Sequence, residues 1–135
     1  MGILRKIALV YMVILLSAAS LNYIPGLTDS QGRAFGVFAL DVFDDALHVA
    51  SALWAGSAAF TSNRAARIFL RYFGLLYLTD GLLGLATGSG YLDFGIIKYG
   101  VLDYPLTFKI LANLPHIAGG SFAVFSSFYF GTEDR

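Results

Sequence analysis

Apolar residues fall into four long blocks, roughly 7–24, 42–61, 66–87 and 108–130. Each is close to the ~20 residues that a helix needs to cross a bilayer. Turn formers separate them. Pro25-Gly26 follows the first block, Ser62-Asn63 divides the second from the third, and Gly88-Ser-Gly90 ends the third. No long stretch alternates polar and apolar residues, so the pattern is not that of a membrane barrel. The expectation is an all-α, four-helix transmembrane bundle. The first block follows Arg5 and Lys6 and contains Ser17-Ala-Ala-Ser20, as a signal peptide would. A secretory apolar region runs only about 7–15 residues. Here it continues to Ile24, so it reads as a first transmembrane helix.

Composition strengthens that picture. The chain is 57% hydrophobic and only 13% charged, against about 25% charged in an average soluble domain. Its length suits a single integral membrane domain, residues 1–135. A formal net charge of zero offers nothing to nucleic acid. With no cysteine, disulfides and cysteine-ligated clusters are excluded. Lysines and arginines set the orientation. With the N-terminus cytoplasmic, Arg5, Lys6, Arg64, Arg67, Arg71 and Arg135 lie inside, and Arg33, Lys98 and Lys109 lie outside. Both termini are then cytoplasmic. The outer connections hold Asp29, Asp41, Asp44, Asp93 and Asp103, and aromatic runs from Phe35 to Phe38 and from Phe94 to Tyr104 that suit an interfacial belt. Arg64, Arg67 and Arg71 are expected to snorkel to headgroups. Phe69, Tyr72, Phe73, Phe125 and Tyr129 are expected to face lipid, other subunits or a second copy of the chain.

The only two histidines sit in similar surroundings. Asp45-Ala-Leu-His48-Val-Ala is followed by Trp54-Ala55 and Phe60. Asn113-Leu-Pro-His116-Ile-Ala is followed by Phe122-Ala123 and Phe128, at an offset of about 68 residues throughout. Helices two and four run in the same direction, so the repeat implies two parallel helical hairpins. At ~1.5 Å per residue both histidines fall in the outer half of the bilayer, with Asp80, Asn22, Asp45 and Asn113 in the same layer.

Three readings of that layer stand side by side. In the first, these groups are helix caps and inter-helix hydrogen bonds. Asp45 and Asn113 are good N-caps, and Pro115 suits a first turn, so helices two and four would begin there. In the second, His48 and His116 are axial ligands of a b-type haem or another tetrapyrrole. Asp45 and Asn113, three residues back on the same face, would orient the imidazoles. Gly36, Gly56, Gly119, Gly120, Ala50, Ala52 and Ala118 would leave room for a flat ring, or for close helix packing. In the third, His48, His116 and Asp80 form a metal or proton site, unless Asp80 faces Arg33 or a neighbouring subunit. No nucleophile with its base and no phosphate loop is present, so an accessory or binding role is favoured over an enzyme acting alone.

Several stretches resemble one family. Leu21-Asn-Tyr-Ile-Pro-Gly-Leu-Thr28, Phe35 through His48, Tyr77-Leu-Thr-Asp-Gly-Leu-Leu-Gly84 and Leu111-Ala-Asn-Leu-Pro-His-Ile-Ala-Gly-Gly120 resemble the domain of unknown function 4383 membrane proteins. The resemblance implies a small four-helix integral membrane protein with histidines at His48 and His116. The chain departs from that pattern at Asp44 and Asp45, where His-Asn is common. It departs again at Ser51-Ala52, where glycine is usual, and at Asp80, where the family is apolar. These departures place extra acid near the histidines, as in a member specialised to serve as a subunit of a larger complex.

Overall fold

The computed structural model describes residues 2–27, 33–34, 38–39, 42–92 and 94–130. Among them the chain is all-helical except for a two-residue antiparallel ladder, Arg33–Ala34 (β1) paired with Phe38–Ala39 (β2). Helix α1 covers Ile3–Ser20 and passes into a 3-10 turn at Leu21–Tyr23. It is followed by α2 (Val42–Thr61), α3 (Asn63–Thr87), the short α4 (Gly95–Tyr99) and α5 (Leu106–Tyr129). Asp29, Phe35, Gly36, Asp41, Asp93 and Arg135 lie outside the described residues, as do the side chains of Asn22, Arg33 and Phe38.

The helix ends differ from the apolar blocks for local reasons. Helix α1 starts before Arg5 because Leu4 is buried against the core and extends the apolar face by a turn. Helix α3 starts at its cap, where Ser62 Oγ accepts from Ala65 N. It stops at Gly88, whose φ of 81° is the left-handed conformation that closes a helix. Helix α5 begins directly after Pro105. The alternative starts at Asp45 and Asn113 do not hold. Both residues lie inside helices, and Pro115 is internal to α5, where it removes one backbone donor.

Helix α1 packs on α2, α2 on α3, and α3 on α5. The α3–α5 pair is antiparallel: Gly74 lies beside Gly120, while Asp80 meets His116. A Cβ placed on Gly120 would lie 2.5 Å from Leu78 N, so the two backbones touch. Leu4, Ala8, Tyr11 and Leu15 form one buried stripe on α1, facing a small-residue surface of α2 that includes Ala52, Ala55, Gly56 and Ala59. Phe69, Phe73 and Tyr77 stack along one face of α3, with Tyr11 edge-on to Phe73 and Trp54 edge-on to Phe69. Phe69 and Phe73 are therefore core residues, contrary to the expectation that they face outward. Their i, i+4 spacing puts them on the buried face with Tyr77. Tyr72, Phe125 and Tyr129 are exposed.

Helices α1 and α3 are long and apolar enough to cross a membrane. Helices α2 and α5 are of similar length, and their hydropathy is lowered by Asp44, Asp45 and His48 and by Lys109, Asn113 and His116. The charges sort by end. Arg5 Nε donates to Ala59 O at 2.5 Å, joining the start of α1 to the end of α2. At that same end, Arg71 donates to Ser127 Oγ and Ser127 O and lies 4.0 Å over the Phe128 ring. Arg71 is thus held by α5 and does not snorkel. At the opposite end, Lys98 Nζ sits 4.5 Å over the Phe43 ring.

Candidate functional site

A cleft of about 650 Å³ lies between helices α1 and α5. Its walls are Ile7, Val10 and Ile14 from α1 and Ala118, Gly119 and Phe122 from α5. Phe73 and Tyr77 from α3 and His48 from α2 form its floor, and Lys6 stands at one end. The volume falls within the ~300–1,000 Å³ usual for ligand sites. Across the cleft, Tyr11 Oη donates to Gly119 O at 2.5 Å. Both histidines line this one cavity.

Their expected helpers are arranged differently. The partner of His116 is Asp80, with Nδ1 and Oδ2 2.5 Å apart. The other Asp80 oxygen, Oδ1, accepts from Tyr91 N at 2.8 Å and Leu92 N at 2.9 Å. Asp80 is thereby committed to α5 and to the connection after α3, while the side chain of Arg33, its other expected partner, lies outside the described residues. Asn113 does not orient His116. Its Nδ2 donates to Lys109 O, and its side chain presses on Gly84, one turn beyond the site. Asp45 Oδ2 accepts from Tyr23 Oη at 3.1 Å, tying α2 to the turn after α1. Asp45 Oδ1 is buried with no partner among the described residues. The polar layer therefore divides into an Asp80–His116 pair, an Asp45–Tyr23 contact, and His48 on the cleft floor.

No group of three His, Asp or Glu side chains among the described residues is placed to hold a metal ion. The set His48, His116 and Asp80 is not assembled as ligands, because the Asp80 oxygens are taken by two backbone donors and the imidazole.

Tyr77, which the sequence marks only as part of the Tyr77–Gly84 stretch and not as a site residue, is central here. Its hydroxyl hydrogen-bonds Ser51 Oγ at 3.0 Å, and its ring lies 4.9 Å from the His116 ring. The signal that would have found it is its spacing, three residues before Asp80 on the same helical face. Of the small residues near the histidines, Gly120 serves helix contact and Gly119 borders the cleft. Gly119 is the residue whose lack of a side chain leaves room there.

No family model matches the chain, and no curated protein and no solved structure matches it either.

Proposed function

We propose that this chain is an integral membrane protein whose four long helices cross the bilayer as two parallel helical hairpins, with both termini cytoplasmic. In this reading it acts as a small binding module, alone or as an accessory subunit, and kinship with the domain of unknown function 4383 proteins is part of the proposal. The observation that carries it is the cleft between α1 and α5, apolar along its length and lined by both histidines. Two further features support the membrane setting. Large apolar side chains such as Val13, Leu53, Phe60 and Phe125 point outward, while alanines and serines are buried. That is the distribution expected where lipid is the solvent and small residues make helix contacts. Arg5 and Arg71 share one end, which suits a cytoplasmic face.

The test is to purify the protein in mild detergent and extract bound apolar molecules for mass spectrometry. A retained ligand that is lost when Ala118→Trp fills the cleft supports the reading. Identical extracts from both proteins overturn it.

A b-type haem is the second reading, favoured by two imidazoles lining one cavity and by a carboxylate that anchors one of them. A reduced haem absorption spectrum, lost in His48→Ala and in His116→Ala, is the expected result. A colourless preparation from haem-replete cells removes it.

A further inference from the structure

We infer that the cleft takes a membrane-dissolved quinol, an aromatic head bearing hydroxyls on an apolar tail, with one hydroxyl donating to His116 Nε2. This rests on the reading of the cleft as a ligand site.

The starting point is Asp80. Its Oδ1 holds the N–H groups of Tyr91 and Leu92, so the carboxylate is fixed in place with Oδ2 toward His116 Nδ1. A carboxylate in that setting accepts, so Nδ1 carries the imidazole proton. In an uncharged ring that contact fixes the tautomer, and the other nitrogen, Nε2, presents a lone pair. His116 has no other hydrogen-bond partner among the described residues, its side chain is 25% exposed, and it lines the cleft.

The tyrosine hydroxyls of the lining have partners elsewhere. Tyr11 Oη is spent on Gly119 O, and Tyr77 Oη is bonded to Ser51 Oγ. An acceptor facing an apolar space is costly unless a donor reaches it. Hydrocarbon chains bring none, and a quinone or an ester brings only acceptors. An occupant that carries a donor on its head meets that acceptor.

Shape selects further. The Tyr77 ring lies against His116, and Phe73 and Phe122 complete an aromatic lining that suits a flat head. Because Tyr11 meets Gly119, His116 lies one turn further along, level with Ile14. From there the cleft continues down α1 to Ile3, roughly 17 Å at ~1.5 Å per residue. That length holds an isoprenoid or alkyl tail.

The experiment uses the full chain in lipid nanodiscs, titrated calorimetrically under argon. The probes are decylubiquinol, decylubiquinone and the dimethyl ether of decylubiquinol. Decylubiquinol should bind about tenfold tighter than either of the others, the worth of one hydrogen bond. His116→Phe should abolish that preference, bringing all three probes to similar affinity. Asp80→Asn frees the imidazole to exchange tautomers, and should shrink the preference without blocking the cleft. Equal affinity for all three probes overturns the hydroxyl contact while leaving the cleft reading intact. Failure of every probe to bind, with Ala118→Trp changing nothing, overturns both. A dimer cross-linked efficiently through Val10→Cys would place a second copy in the cleft, and overturns the quinol as its occupant.

Discussion

Three N–H groups converge on the carboxylate of Asp80, and two of them come from backbone that has no other role in the helix pair. Removing the acid strands all three donors. Asp80→Ala should destabilise the protein by about 3–5 kcal/mol, since each buried donor left unpaired costs about 1–3 kcal/mol. His116→Ala should cost less, because Asp80 keeps both backbone donors. Thermal unfolding followed by circular dichroism in detergent checks the order; equal losses would show that the loop contacts add nothing. Tyr11→Phe is a milder case. It removes the hydrogen bond to Gly119 O and should cost about 0.5–1.5 kcal/mol by the same measurement. The histidines and Asp80 stand out in the sequence because polar residues inside apolar blocks are expensive. Their pairing does not. Asn113 is three residues from His116, whereas Asp80 is 36 away, and local spacing favours the near candidate. Only the crossing of α3 and α5 brings the distant one into reach.

Helix contacts depend on where side chains are missing. Gly119 and Gly120 are adjacent, yet they meet different surroundings. A Cβ on Gly120 would lie 2.5 Å from Leu78 N and 2.7 Å from Gly74 O, and rigid backbone cannot yield as a side-chain tip can. A Cβ on Gly119 would find nothing nearer than Tyr11 Cε1 at 4.0 Å. Gly120→Ala should therefore force α3 and α5 apart, at about 1–3 kcal/mol or more, while Gly119→Ala should be close to neutral. Unfolding midpoints of the two variants in one detergent decide this; similar midpoints would refute backbone contact at Gly120. The blocks of apolar residues made the long helices legible, and α2 follows its block from end to end. The faces were less legible. Small residues near a histidine suit a flat cofactor and a close helix crossing equally, and only three-dimensional contact assigns Gly120 to the crossing and Gly119 to the cleft.

At the scale of the whole molecule, a buried core of Leu4, Phe69, Leu70 and Phe73 is surrounded by a surface that is also broadly apolar. Phe60, Phe122 and Phe128 are more than half exposed, while Ser126 and Ser127 are fully buried. In water so broad an apolar surface would drive aggregation; in lipid it costs nothing, and the buried hydroxyls satisfy themselves within the helix at Phe122 O and Val124 O. In the proposed membrane setting, the arginine-rich end would set the direction of insertion. Because the chain has no cysteine, single cysteines can report that direction without background. Thr61 is exposed beside the α2–α3 turn at the arginine-rich end, and Ile97 is exposed on α4 at the other. In intact cells, a membrane-impermeant maleimide should label Ile97→Cys and leave Thr61→Cys unmodified until the membrane is opened. Labelling of Thr61→Cys alone would invert the topology. Recovery of the chain in the soluble fraction, with both positions labelled at equal rates after lysis, would refute membrane insertion.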